Sequence, residues 1–419
     1  MKIFLKKILY LLEFLPKMPD DVFQLKLFRN HMRKVIFNRD NLYFLDNCNN
    51  NNTINVQENN KPNIMVITHD FSNTGAPKVN TGAPKVTLDL CKKLKEIYDA
   101  NIYIVGPSNG DLKEEFDKYG NVFYISDLPS KKENFVEFCN KFNLILVSSL
   151  SNEIMLCLYV CRNFIKTPII WYTHEIHKKD AMLPKLGIRV SDLILCVSPL
   201  VEKSIKNIDK NAKTQLLMYG LDDIIMPVYP CSKEKVIFLC IGTLNKRKNQ
   251  KLFAQAIKMM PEKLREKCKF YIIGSPLQKE DFVYETELNI MTSGIKEVEY
   301  IPNIPQKELF EYYNMSDCIV CTSVQDPLPI VVTHGFMFSK ISVISKAIGQ
   351  ALLCENNKNA IIFDNQKPQN LSKILSDIAE NKEKYTAIAA NSREIYDKYF
   401  SMQSFKKSIK NILDKYLIY

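Results

Sequence analysis

Several things are missing from this sequence, and each absence removes a class of function. No run of Arg and Lys interleaves with aromatic residues, and no RNP, KH or zinc-finger spacing occurs. The formal charge of +11, from 57 basic and 46 acidic residues, therefore does not point to nucleic acid. It favours other anionic partners: phosphates, nucleotides or an acidic membrane surface. There is no complete G-x-G-x-x-G, so the dinucleotide fingerprint is lacking. The twelve cysteines are scattered singly, without a small secreted framework, and read as reduced and cytosolic. Cys318 and Cys321 make a C-x-x-C only inside the apolar run DCIVCT, where core packing is expected rather than redox or metal chemistry. His174 and His177 lack the i, i+4 pairing of a zinc helix, and no metal site is expected. The opening MKIFLKKILYLLEFLPKMPDD is too short to span a bilayer. Lys6, Lys7 and Glu13 interrupt it, and no small-residue cleavage site follows. Residues 1–40 carry nine Lys/Arg and four Asp/Glu. Two readings stand equal for this basic amphipathic segment: a contact with an anionic leaflet, or a helix docked on the protein's own surface.

What is present is ordinary globular material. The 419 residues are 46% hydrophobic and 25% charged, enough for two or three domains. The Asn-rich stretch Asn47 to Asn60 has little to bury and reads as a linker. Beyond it, short apolar runs alternate with amphipathic stretches. The first series is NIMVITH (63–69), NIYIVG (101–106), NVFYIS (121–126), LILVSS (144–149), PIIWYTH (168–174), LILCVS (193–198) and QLLMYG (215–220). Polar residues around Asp222 to Lys235 break the rhythm. A second series follows: VIFLCIG (236–242), FYIIGS (270–275), VEYIP (298–302), CIVCTS (318–323), ISVIS (341–345) and AIIF (360–363). This β-α-β repetition predicts an α/β protein with two Rossmann-like parallel-sheet domains facing a cleft. The expected divisions are an extension and linker at 1–60, one domain at 61–225, a second at 230–395, and a terminal helix at 396–419 that packs back on the first domain. Ligands in such sheets sit beyond the carboxyl ends of the strands.

The loops at those ends carry the polar chemistry. After the first run come His69 and then Gly75 and Gly82, which let backbone amides approach a phosphate at a helix start. GTLNKRKNQ follows Ile241. Gly242 permits a tight turn, and Lys246, Arg247 and Lys248 place cations against the positive end of the next helix, where they would repel one another without an anion. VQDPLPIVVTHGFMF follows Ser323. Pro327 and Pro329 suit a helix start, with free amides reaching to Ile330 and Val331. Asp326 and His334 are eight residues apart, hence expected on one helix face about 12 Å apart along the axis. The plain alternative for Asp326 is a helix N-cap. His174 and Glu175 follow the run PIIWYT.

In this order, HDFSNTGAPKVNTGAPKVTLDLCKKL, THE at 173–175, SDLILCVS, IGTLNKRKNQKLFAQAI and SDCIVCTSVQDPLPIVVTHGFMFSKISVIS resemble the family-4 retaining glycosyltransferases of GT-B fold. The resemblance runs from Asn63 to the end of the chain. It implies sugar transfer from a nucleotide-diphosphate sugar, with retention and without an obligate metal or cofactor. By position it assigns Lys248, assisted by Arg247, to the donor diphosphate, Asp326 to the donor sugar, His334 to the ribose and His174 to the reacting centre. Three departures stand out: Thr243 replaces an arginine, Asp326 is one methylene shorter than Glu, and His334 replaces a carboxylate. The family habit and the basic start imply a glycan or lipid-linked acceptor in surface polysaccharide or glycolipid synthesis, in the cytoplasm or peripherally on the inner membrane face. A degenerate GT-B scaffold that binds partners without catalysis is the main alternative, and a nucleotide-sugar epimerase of the same fold is another.

One oddity is a stutter: Asn73 to Val79 and Asn80 to Val86 both read NTGAPKV. Were the first copy to open the helix, Pro84 would fall inside it, at a cost of ~3 kcal/mol. The second copy is therefore expected to start the helix, with Asn80 or Thr81 near the cap and Pro84 in the first turn.

Overall fold

The computed structural model describes residues 54–69, 71, 82–107, 109–148, 152–226, 235–364 and 367–417. The basic segment at 1–40, Gly75 and the first NTGAPKV copy lie outside them. All thirteen apolar runs are strands, in two wholly parallel sheets. The first sheet comprises β1 (Asn63–Ile67), β2 (Asn101–Gly106), β3 (Asn121–Tyr124), β4 (Leu144–Val147), β5 (Ile169–Thr173), β6 (Leu193–Cys196) and β7 (Thr214–Leu216), ordered β3-β2-β1-β4-β5-β6-β7. The second comprises β8 (Val236–Ile241), β9 (Cys268–Ile273), β10 (Val298–Ile301), β11 (Cys318–Cys321), β12 (Ile341–Ser345) and β13 (Ile361–Phe363), ordered β10-β9-β8-β11-β12-β13. Strands β4, β5 and β11 are buried at every residue, as continuous apolar runs covered on both faces require. Both sheets reverse their winding next to the first strand, between β1 and β4 and between β8 and β11. Such a switch point opens a crevice at the strand ends.

Five helices matter for the site. The first, α1 (Ala83–Tyr98), begins in the second copy of the repeat, with Pro84 in its first turn. Its cap is Gly82; Asn80 and Thr81, expected near the cap, lie outside the described residues. At φ 109° Gly82 adopts a backbone that side-chained residues avoid, and no side chain caps the helix. In chain order the others are α2 (Lys113–Asp117), α3 (Lys132–Cys139), α4 (Asn152–Cys161), α5 (Met182–Val190), α6 (Pro199–Ile208), α7 (Gln250–Met259), α8 (Glu262–Arg265), α9 (Lys279–Thr292), α10 (Gln306–Met315), α11 (Ile330–Met337), α12 (Pro368–Glu380), α13 (Thr386–Tyr399) and α14 (Met402–Leu413). Besides α1, those that frame the cleft are α7, α10, α11 and α14. None of the described helices is long and apolar enough to cross a membrane.

The run QLLMYG was too generous a strand: β7 ends at Leu216. Leu217 and Tyr219 are buried, but the chain past Leu216 packs at the junction of the lobes rather than in the sheet. Tyr219 lies 5.8 Å from the Phe400 ring, and a Cβ on Gly220 would meet Phe405. There the backbone amide of Leu221 donates to Phe400 O, and that of Met402 donates to Leu221 O. The Arg393 guanidinium pairs with Asp223 at 2.5 Å. Helix α14 then lies back on α1, where the Tyr98 hydroxyl donates to Asp414 at 2.8 Å. One apolar cluster runs from the first sheet through Leu328, Val331 and Phe336 to Tyr396, Phe400 and Phe405, joining the two lobes.

Candidate functional site

A cleft of about 600 Å³ separates the two sheets' carboxyl edges. That falls in the range of small-molecule sites. Its first wall is built by α1 and the ends of β5 to β7, with Gly82, Lys85, Asp89, His174 and Tyr219. Its second wall is built by the loops after β8 and β11, with Gly242, Arg247, Lys248, Asp326, Ile330, Val331 and His334. Every expected donor-side residue therefore faces one gap, as do His174 and Gly82. His69 is exposed at the end of β1 and is not among the lining residues, and Lys246 is exposed outside the cleft too. A separate hollow of about 410 Å³ lies at the amino edge of the first sheet, among residues 56–63, Lys141 and Asn143, away from these groups.

The second wall is charged and tightly braced. Asp326 is 6% exposed, and its Oδ2 meets the Arg247 guanidinium at 2.6 Å and the Lys248 ammonium at 2.8 Å. Burial pushes the Asp326 carboxyl up, but Lys248 and Arg247 outweigh it and hold the group below its ordinary value. The cation loop is fastened from behind. The Thr322 hydroxyl donates to Lys248 O, the Val324 amide donates to Arg247 O, and Gln250 Nε2 donates to Gly242 O and Thr243 O. A Cβ on Gly274 would sit 2.0 Å from Gly242 O, so the turn after β9 must be glycine for the two loops to approach.

Two expectations for this wall change. Asp326 is not a helix cap: Pro329 precedes α11, and Asp326 spends its carboxylate on the cations. Nor does Asp326 share a helix face with His334. Helix α11 begins only at Ile330, after a non-helical segment 327–329 that ends in the extended Pro329, so the spacing rule for helices does not apply between 326 and 334. The segment is pinned instead by a parallel bridge between Asp326 and Ile348 and by Gln350 Nε2, which donates to Pro329 O at 2.8 Å.

His334 is 3% exposed, with the rings of Phe310 and Tyr313 edge-on at 5.3 Å each. Burial alone holds its imidazole down to about 4, so it is neutral near pH 7. Tyr313 lines the cleft too, and its buried hydroxyl has no hydrogen-bond partner among the described residues. Such a group is costly to leave unsatisfied unless a ligand takes it up.

Away from its rim, the first wall works with neutral groups. His174 is partly buried, and burial holds its imidazole down to about 3. Its Nε2 lies 3.4 Å from the Ser148 hydroxyl, and the Tyr172 ring packs against it at 4.2 Å. Ser148 in turn meets the Thr87 hydroxyl on α1. Nearer the rim, Lys85 and Asp89 pair at 3.3 Å, yet burial, with Asp222 adding to it, lifts the Asp89 carboxyl above its ordinary value despite Lys85. Across the gap the Tyr219 hydroxyl meets Thr333 at 2.8 Å and donates to Leu328 O. Sequence reasoning missed Thr87, Ser148, Tyr219 and Tyr313. Ser148 and Tyr219 stand at the ends of apolar runs, where the strand-end rule could have found them. Thr87 and Tyr313 lie on amphipathic helices and look like packing residues.

Residues 222–395 match the family of glycosyl transferases group 1. The second lobe is similar to the group 1 glycosyl transferases. The whole fold agrees: two facing Rossmann-like lobes are the GT-B arrangement. HepE of Anabaena, solved with UDP, superposes with a TM-score of 0.69 at 16% identity, covering 84% of this chain and 100% of that one. A glycosyltransferase from Rickettsia africae gives 0.68 at 13% identity, covering 86% and 99%. Sucrose-phosphate synthase of Thermosynechococcus elongatus gives 0.65 at 12% identity, covering 85% and 99%. Against curated proteins no sequence match is found. Arg247, Lys248, Asp326 and His334 all lie inside the matched segment, whereas His174 and α1 lie outside it.

Proposed function

We propose that the protein is a retaining glycosyltransferase that moves a sugar from a nucleotide-diphosphate sugar to a glycan or lipid-linked acceptor. The observation that carries this reading is the triad of Arg247, Lys248 and Asp326 beside the start of α11, in a cleft that neutral polar groups close from the other lobe. Breaking the bond between the anomeric carbon and the phosphate oxygen leaves negative charge on the diphosphate. Lys248, Arg247 and the amides of Ile330 and Val331 are the groups to receive it. The acceptor oxygen bonds the anomeric carbon, and its proton passes to the departing phosphate oxygen, so no separate protein base is required. Asp326 holds both cations in place; the cations turn to the diphosphate as it binds, and the carboxylate to a sugar hydroxyl. HepE, solved with UDP and with UDP-glucose, supports a uridine donor as the first to try.

A calorimetric titration of the full chain with UDP, GDP and their glucose derivatives tests this. Saturable binding of one diphosphate, weakened in Lys248→Ala, is the expected result. No binding to any of them overturns it in favour of a second reading, a scaffold of the same fold without catalysis. That reading draws on Asp326, which already pairs with both cations, and on His334, which stands where a carboxylate is expected. Membrane attachment and a role in surface polysaccharide or glycolipid synthesis belong to the same proposal. Flotation of the full chain with anionic vesicles, compared with a chain lacking residues 1–53, tests the attachment, and binding that the deletion leaves unchanged refutes a role for the basic segment.

A further inference from the structure

His174 is a neutral imidazole, so one ring nitrogen carries a proton and the other a lone pair. Which is which follows from a count of protons behind it. The Thr87 hydroxyl, 0% exposed, donates to Ala83 O at 2.8 Å within its own helix. A carbonyl can only accept, and a hydroxyl has one proton, so that of Thr87 is taken. The Thr87 contact with Ser148 must then use the proton of Ser148. Ser148, 1% exposed, is left with lone pairs only, and it is these that face His174 Nε2 at 3.4 Å. The opposite order, Thr87 to Ser148 to His174, would leave the Thr87 oxygen and Ala83 O facing each other at 2.8 Å with no proton between them. It would lose that bond and gain none in return.

We propose that Thr87 and Ser148 are positioning residues that hold His174 as the Nε2–H tautomer, leaving Nδ1 as a hydrogen-bond acceptor for a sugar hydroxyl in the cleft. The tautomer stands on the proton count, and only the identity of the hydroxyl rests on the sugar-transfer reading. Among the described residues Nδ1 has no hydrogen-bond partner, and the ring borders the cleft. Held in this form, His174 accepts from a hydroxyl and repels a phosphate oxygen. It therefore separates the two ends of a nucleotide sugar: hydroxyls toward the first lobe, phosphates toward Arg247 and Lys248. Burial, which keeps the ring neutral near pH 7, supports this division.

The chain has five histidines, so histidine-selective ¹⁵N labelling of the full protein gives a spectrum that can be assigned, with His174→Gln identifying one set of signals. At pH 7 the expected result is the Nε2–H pattern for His174 in the wild type. Ser148→Ala should give a mixture of tautomers. Thr87→Val, close in shape, should release the Ser148 proton toward Nε2 and shift His174 toward the Nδ1–H form. An Nδ1–H or doubly protonated ring in the wild type overturns the proposal, and so does a tautomer that neither variant alters. Since the wild-type spectrum decides by itself, a variant that fails to fold does not rescue the idea. With UDP-glucose as probe, Thr87→Val should lower the rate of UDP release about tenfold, the loss expected for one neutral hydrogen bond, while UDP affinity stays within about twofold. Unchanged release overturns the role given to Nδ1. A wild-type chain that does not bind UDP would sink the sugar-transfer reading and leave the tautomer result standing.

Discussion

The two walls of the cleft are opposites in chemistry. The second lobe presents charge, a carboxylate clasped by two cations on loops braced from behind. The first lobe presents, inside the rim pair of Lys85 and Asp89, neutral acceptors and donors: an imidazole backed by two hydroxyls. The difference matches the two ends of a nucleotide sugar: a diphosphate is gripped by fixed charge, and a sugar ring is read by neutral hydrogen bonds. Substitutions on the second wall should therefore move affinity for the nucleotide, and those on the first should move turnover.

The largest effect is expected at Lys248. Lys248→Ala should weaken UDP binding about 10- to 100-fold in calorimetry, since a charge-assisted bond is worth roughly 1.5–3 kcal/mol. It also leaves a buried carboxylate with Arg247 alone, so unfolding in urea should show a loss of about 2–3 kcal/mol. Affinity equal to wild type would erase the contrast between the walls.

Next comes pH, which acts on both walls alike. The His174 and His334 imidazoles are held to about 3 and about 4, against ~6.5 when unfolded. Below pH 6.5 the unfolded chain takes up protons that the folded chain refuses. Stability should therefore fall as pH drops from 6.5 toward 4, by at most about 1.4 kcal/mol per pH unit for each ring. Asp326 has the depressed value of a paired carboxylate, so its contribution is present above about 4 and is lost only as pH falls further. Urea midpoints at several pH values should give a shallower slope in His334→Leu, and an unchanged slope would mean that the ring is already protonated or already exposed.

A smaller and more selective effect is expected at Tyr313. Tyr313→Phe removes a buried hydroxyl that has no hydrogen-bond partner among the described residues. Thermal stability should stay level or rise by up to about 1 kcal/mol, while UDP affinity falls about three- to tenfold. Loss of stability with intact affinity would show that the hydroxyl serves the fold. The smallest effect belongs to Lys85→Ala on the first wall. Its pair with Asp89 is partly solvent-screened and should contribute less than about 1 kcal/mol to unfolding, with no change in UDP affinity.

The strands were legible because buried parallel strands are written as unbroken apolar runs. QLLMYG was overextended for the same reason: Leu217 and Tyr219 are as buried as sheet residues, though they pack between lobes. The charged wall was legible too, since Arg247, Lys248 and Asp326 follow directly on strand ends. Its geometry was not, because the spacing of 326 and 334 assumed a helix that begins four residues later, at Ile330. The neutral wall escaped notice for a different reason. Thr87 and Ser148 are 61 positions apart, and Ser148 and His174 are 26 apart. Hydroxyl residues are common in any chain, and only the folded sheet shows which of them meet.

The chain passes between the lobes twice, once through Leu221 and once through Phe400 and Ser401, and the two passages are stitched side by side. A single tether would let the lobes swivel freely. Two adjacent ones act like paired pins on a door: twist is resisted, and swing about the line joining them is the soft motion left. Opening the cleft therefore parts His174 from Lys248 without changing which faces meet when it shuts. Small-angle scattering should register UDP binding as a contraction, and an unaltered profile on saturation would mean that the door does not move.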